Sequence, residues 1–350
     1  MNKNTIIGLL ICLITALLSI LISNYIGIQL LNLERSPISP IIIAIILGLL
    51  VSNSVKNIQS YEDGYTFSIK YLLKLGIIFL GIRLSISDII TYGSQGLFVI
   101  IPCIAISIII VTNLKSYFRV SDNLSLLIAV GTSICGATAI VALAPAINAK
   151  KEEISYAIAN ITVFGLIAMF LYPLLAFTVF DDNSLAVGLF LGTSIHETAQ
   201  VAGSGMIYAE QYENPSVLDI AAVIKLVRNT MMVIVIPLLA YLARKESIQQ
   251  NKINISSIFP YFIIGFLAFG VIRTIGDQFQ YQIGSQLWNS FVHSIKFSAE
   301  ILLIIAMSAV GYNTNLDKFK NLGLKPFFLG FIAAISVGIV SFSIIIFLII

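Results

Sequence analysis

The sequence predicts an all-α polytopic membrane protein with about 9–11 transmembrane segments, two of them broken or re-entrant. Three observations predict it. The chain has 350 residues, 58% hydrophobic and only 11% charged, whereas a soluble domain is about a quarter charged. The apolar residues come mostly in runs of roughly 20, the length that crosses a bilayer. Two of these runs, 124–147 and 185–208, are interrupted by clusters of Gly, Ser and Thr.

Taken in order, the first run (5–23) follows Lys3 and resembles a signal peptide. It is long for a signal core and no small-x-small cleavage site follows it, so it reads as the first span. Further candidate spans lie at 38–55, 69–85, 96–113, 124–147, 155–180, 185–208, 219–243, 257–275, 291–312 and 326–350. The connections are short, so residues 1–350 read as a single integral membrane domain. Pro102, Pro145, Pro173 and Pro237 are expected to kink their helices. Lys70 and Lys74 read as interfacial anchors. A cytoplasmic N-terminus puts Lys56, Lys115, Arg119, Arg244, Lys245, Lys252, Lys318, Lys320 and Lys325 in inner loops, and Arg35, Arg273, Glu210, Glu213 and Asp219 in outer ones. The positive-inside rule therefore predicts a multi-pass plasma (inner) membrane protein with its C-terminus outside. Lys150 and Lys151 fall on the wrong side if all eleven runs cross. Making 124–147 and 185–208 re-entrant moves both lysines inside, so the charges favour nine full spans.

Composition also excludes functions. A net charge of +3, with basic residues between apolar runs, offers no clustered face for nucleic acid. Cys12, Cys103 and Cys135 lie singly, without metal-ligand spacing or a disulfide framework, and read as small apolar fillers. There is no P-loop, no GxGxxG after a strand, no HExxH and no CxxC. No enzyme activity, cofactor or metal is expected, and ATP-driven transport by this chain alone is not expected either.

The polar residues gather in few places. Gly192-Thr193-Ser194-Ile195-His196-Glu197-Thr198-Ala199-Gln200 brings a histidine, a glutamate and a glutamine into an apolar chain, and 131–142 (Gly131-Thr132-Ser133-Ile134-Cys135-Gly136 onward) echoes it. Pro173-Leu174-Leu175-Ala176 and Pro237-Leu238-Leu239-Ala240 repeat downstream, and a weaker echo pairs the runs ending at Gly81 and Gly311. Paired interruptions of this kind point to the binding site of repeat-built transporters. Thr132-Ser133 and Thr193-Ser194 each follow a glycine and precede an apolar run, as N-caps of half-helices would, so both breaks are expected to aim N–H groups at an anion. The competing reading is close helix packing on small residues. On a helix His196 and Gln200 share a face, with Glu197 adjacent, and an intramembrane carboxylate suggests a proton or ion pathway. A structural hydrogen bond between helices is the alternative. Lys225, Arg228 and Asn229, at i, i+3 and i+4, share another face that could hold an oxyanion or pair with Glu197; alternatively Lys225 snorkels to the interface.

The motifs Gly131–Ala137, Phe164-Gly165 through Phe170-Leu171-Tyr172-Pro173, Gly192–Val201 and Val223-Ile224-Lys225-Leu226-Val227-Arg228 together resemble the YeiH-type family of bacterial inner-membrane proteins, named for sulfate export. The resemblance runs from about Pro40 to the C-terminus. It implies a secondary transporter with inverted repeats and helices broken at the midplane, moving sulfate or a related sulfonate. No catalytic residues come with it. The expected function is secondary active export of a small anion by alternating access. Gly131, Thr132, Ser133, Gly136, Gly192, Thr193, Ser194, Gln200, Lys225, Arg228 and Asn229 would bind substrate, and His196 and Glu197 would carry the coupling proton or cation. A cation/proton antiporter, or a membrane subunit or sensor that moves nothing, are the alternatives. The expected partners are the anion, the coupling ion and the lipid bilayer, with a homo-oligomer as a candidate assembly.

Overall fold

The computed structural model describes residues 2–30, 36, 38–55, 57–243, 259–314 and 323–349. Lys56, Arg244, Lys245, Lys252, Lys318 and Lys320, which the topology argument uses, lie outside the described residues, as does Arg35. Among the described residues the structure is helical, without strands. Among the described residues eight helices are long and apolar enough to cross a membrane: Lys3–Leu30, Ile58–Arg83, Ile86–Phe118, Lys151–Phe180, Ser216–Tyr241, Phe262–Gln282, Ser285–Asn313 and Leu324–Phe347. Pro40–Ser54 is a shorter apolar helix. Contacts divide the chain into two compact units.

The first unit comprises 1–90, 205–219 and 261–317. It contains α1 (Lys3–Asn24), α2 (Pro40–Ser54), α3 (Glu62–Phe67) and α4 (Leu73–Leu80). The later helices α13 (Phe262–Ile283) and α14 (Ser285–Asn313) also belong to it. Its first helix is inverted in polarity. On α1 the buried positions are Gly8, Cys12, Thr15, Ala16, Ser19 and Ser23, while Leu10, Ile14, Leu17 and Leu21 are exposed. Lipid tails are as apolar as leucine, so aliphatic chains gain nothing by turning inward, and small residues make the helix contacts instead. At the α2–α14 crossing a Cβ on Gly311 would lie 2.3 Å from the Ile45 carbonyl oxygen, and one on Gly48 would lie 2.5 Å from that of Ser308. Only glycine permits that approach. Tyr312 then ties the elements together. Its hydroxyl lies 2.9 Å from Thr15 Oγ1, its ring stacks on Tyr65 at 4.8 Å, and its carbonyl accepts from Ser52 Oγ at 2.7 Å.

The second unit comprises 91–204, 220–260 and 318–350. It contains most of α5 (Ile86–Phe118), then α6 (Asp122–Ser133), α7 (Ala137–Leu143), α8 (Lys151–Phe180), α9 (Ser184–Ser194) and the start of α10 (Thr198–Gln211). Most of α11 (Ser216–Thr230), α12 (Met232–Ala243) and α15 (Leu324–Ile349) complete it. Each of the two interrupted segments doubles back. A Cβ on Gly131 would lie 2.8 Å from Ile140 Cδ1, although nine residues of continuous helix would separate them by about 13 Å. So α6 and α7 form a hairpin that turns at 134–136, where Gly136 N donates to Gly131 O at 3.0 Å. In the second segment Gly188 and Gly192 of α9 face Ile220 and Ile224 of α11, so these helices run parallel. The helix α10 runs the other way, from Thr198 against Asn229 to Gly205 against Leu218. Hence α9 and α10 form a second hairpin, turning at 195–197. At 12 and 11 residues, α6 and α9 are about 17 Å long, half the depth of a bilayer core. Ser121 and Asn183 cap their entry ends, accepting from Leu124 N and Ala186 N. Against both arms packs α15, with Phe342 beside Phe180 and Phe190.

Two expectations about local structure are corrected here. Thr132-Ser133 and Thr193-Ser194 are not N-caps: they are the last residues of α6 and α9. Their side chains serve the preceding turn, Ser133 Oγ donating to Val130 O and Thr193 Oγ1 to Leu189 O. The preceding glycines allow close packing, Gly192 against Ile224 and Gly131 against Ile161. His196 lies in the turn before α10, so it shares no helical face with Gln200.

Candidate functional site

A hairpin tip inside a membrane exposes carbonyls at the end of the entering helix and N–H groups at the start of the returning one. Both tips here have that problem, and α11 answers the carbonyl half for both. Lys225 Nζ donates to Ile134 O of the first tip at 2.9 Å, to Ile195 O of the second at 3.0 Å, and to His196 O. Arg228 donates from Nε to Ser133 O at 2.7 Å, from Nη1 to Thr193 O at 2.6 Å and Ile195 O at 2.9 Å, and from Nη2 to Thr132 O. All three ammonium hydrogens and four of the five guanidinium hydrogens are thus engaged with carbonyls. Both side chains are fully buried, which excludes snorkelling of Lys225. Two cations three residues apart are tolerated because the partial negative charge of two helix C-termini faces them.

The N–H half belongs to Glu197. Its carboxylate crosses to the first tip and accepts from Ala137 N at 3.4 Å. Its own backbone N–H donates to Gln200 Oε1 at 3.2 Å, the reciprocal arm of a capping box. Gln200 Nε2 reaches on to Thr162 O of α8 at 3.3 Å. The space for this comes from two glycines. Gly136 adopts φ +70°, and a Cβ there would lie 2.3 Å from Glu197 Cγ; a Cβ on Gly165 would lie 1.9 Å from Gln200 Oε1. Asn229 donates from Nδ2 to Thr198 Oγ1 at 3.1 Å.

The predicted residues therefore converge, with two faces of different character. Thr132, Ser133, Thr193, Ser194, His196, Lys225 and Arg228 are sealed in the interior. Glu197, Thr198 and Ala137 are partly exposed, and Thr138 is exposed. Three buried polar atoms around the tips have no hydrogen-bond partner: Ser194 Oγ, His196 Nδ1 and Asn229 Oδ1. Thr193 Oγ1 meets Ser341 Oγ of α15 at 2.6 Å, and Cys135 Sγ meets Met232 Sδ at 3.0 Å. Among the described residues no group of three His, Cys, Asp or Glu side chains is placed to hold a metal.

Sequence reasoning missed a second charged cluster, in the first unit. Arg83 Nε pairs with Asp219 at 2.6 Å and its Nη1 with Glu300 at 3.3 Å. Glu300 and Lys296, four apart inside the apolar run 291–312, were the available signal.

These features define a multi-pass membrane protein whose second unit holds two tip-to-tip re-entrant hairpins. The chain belongs to the family described as conserved hypothetical protein 698, which matches residues 7–330. It is 31% identical over 346 residues to UPF0324 membrane protein FN0533 of Fusobacterium nucleatum, covering 97% of each chain. UPF0324 membrane protein SAG1125 of Streptococcus agalactiae is 30% identical over 342 residues, covering 97% of this chain and 96% of that one. UPF0324 membrane protein OB3406 of Oceanobacillus iheyensis is 34% identical over 302 residues, covering 84% and 83%. No solved structure matches.

Proposed function

We propose that this protein is a secondary active transporter of a small anion, sulfate or a related sulfonate, working by alternating access around the two hairpin tips. In this reading it lies in the plasma membrane with its N-terminus cytoplasmic, and no chemical step is catalysed. The observation that carries the reading is the charge balance where the tips meet. Lys225 and Arg228 bring two formal positive charges against one negative charge on Glu197, an excess that suits an anion better than a cation. Their donors are taken by carbonyls, so the two cations fix the tips and supply field rather than a clamp. The anion approaches from the partly exposed face, where Glu197 occupies the N–H of Ala137. Protonating Glu197 releases that N–H, so anion and proton bind together. A dianion leaving with one proton still carries one negative charge, and an inside-negative potential of about 100 mV favours its exit by roughly 2.3 kcal/mol.

Labelled sulfate flux in reconstituted vesicles, with and without a pH gradient, tests this. Wild-type flux should depend on the gradient, whereas Glu197→Gln should keep flux and lose its pH dependence. Gradient-independent wild-type flux, or an unchanged pH response in the variant, would sink the coupling role. One observation favours a second reading. The Glu197 carboxylate, Thr198 Oγ1 and the unpartnered Asn229 Oδ1 are three oxygens of the kind that ligate hard cations. A cation/proton antiporter would show sodium-dependent pH changes in vesicles, indifferent to added sulfate.

A further inference from the structure

We propose that Glu210, at the far end of the returning arm of the second hairpin, is a proton-binding site distinct from the tips. Its surroundings are those of a neutral acid. One carboxyl oxygen, Oε2, is buried and has no hydrogen-bond partner. The other contact is with Ser39, which N-caps α2 by accepting from Ile41 N at 3.2 Å and turns its hydroxyl toward the carboxyl. Among the described residues no cation pairs with Glu210. Arg83 is committed to Asp219 at 2.6 Å and to Glu300 at 3.3 Å. Lys296 acts on the same two acids, and Arg273 is paired with Asp277 at 2.6 Å. With Asp219 and Glu300 ionised, Arg83 and Lys296 balance them, so this set of described side chains is neutral when Glu210 carries its proton and one charge negative when it does not. The uncompensated charge would face Glu300.

Burial, and secondarily the charge of Glu300, push the Glu210 carboxyl up to about 7 against the opposing hydrogen bond from Ser39. A folded-state value raised above the unfolded one contributes stability that is present at low pH and is lost as pH rises through the folded value. The end of α10 therefore seats firmly in mildly acidic conditions and is loosened above neutrality. This gives the second hairpin a pH-sensitive attachment that needs neither Glu197 nor a transported anion.

Infrared titration of the purified protein, following the carbonyl stretch of protonated carboxylic acids, tests it without any transport assay. Wild type should lose protonated-acid intensity as pH passes through about 7. Glu210→Gln should remove one carboxyl's share of that loss, a share that survives in Asp219→Asn, the buried acid beside Arg83. Glu300→Gln should keep that share and move its midpoint down, because the neighbouring negative charge is gone. A loss unchanged in Glu210→Gln, no intensity titrating near neutrality in wild type, or a midpoint indifferent to Glu300→Gln would each overturn the proposal. The Glu300→Gln arm stands even if Glu210→Gln does not fold.

Discussion

Arg228→Met should be the most damaging single substitution in this protein. It removes four N–H donors from Thr132, Ser133, Thr193 and Ile195, all at the sealed face of the two tips. Each carbonyl left unpaired in the interior costs about 1–3 kcal/mol, and breaking a buried charged network costs about 3–5 kcal/mol in total. Purified in detergent, the variant should melt roughly 10 °C lower than wild type. Arg228→Lys should fall between the two, since an ammonium cannot span both helix ends with a planar fork. The loss should also exceed that of Lys225→Met, because Lys225 engages one carbonyl fewer. A methionine variant melting within a degree or two of wild type would mean that the tips are held by hydrocarbon packing instead.

Gly136→Ala should affect activity more than stability. The residue sits at φ +70°, which an L-residue adopts at a cost of about 1–3 kcal/mol. The heavier consequence is local. The new methyl would lie 2.3 Å from Glu197 Cγ, 3.2 Å from Cδ and 3.0 Å from Oε1, so the carboxylate must leave its place beside Ala137 N. Gln200 and Arg228 are untouched, and the fold should survive with a melting point a few degrees lower. Sulfate flux in vesicles should lose its pH dependence as in Glu197→Gln. Flux with the wild-type pH response would show that the carboxylate position is not used.

The membrane class was legible because it rests on averages, the run lengths and the scarcity of charge, which no local detail can reverse. The pairing of 131–136 with 192–197 was legible for a different reason. Both tips solve one problem, and they solve it with the same Gly-Thr-Ser-Ile. What the repeat could not reveal was which side of the break it occupied. A Gly-Ser-Thr cluster suits an N-cap and a tight C-terminal packing site equally well, and the deciding groups, Lys225 and Arg228, lie about a hundred residues from the first tip. Their shared helical face was readable from spacing; their partners were not, because backbone carbonyls leave no trace in a sequence. The cluster of Arg83, Asp219 and Glu300 was missed for a similar reason. Asp219 and Glu210 read as loop acids beside a predicted span edge, and only the fold brings Arg83 across 136 residues to meet the first of them.

The cysteines have a practical consequence. Cys12 and Cys103 are fully enclosed and Cys135, one residue from the turn glycine, is 6% exposed, so the native chain presents almost no thiol to a reagent in solution. It can therefore serve as its own blank for maleimide labelling. Thr138 stands exposed three residues beyond Cys135, on the first tip. In Thr138→Cys, a single new thiol should react where wild type stays silent. The rate of that reaction, followed with and without sulfate or a pH gradient, would turn the first hairpin into a chemical clock for opening and closing.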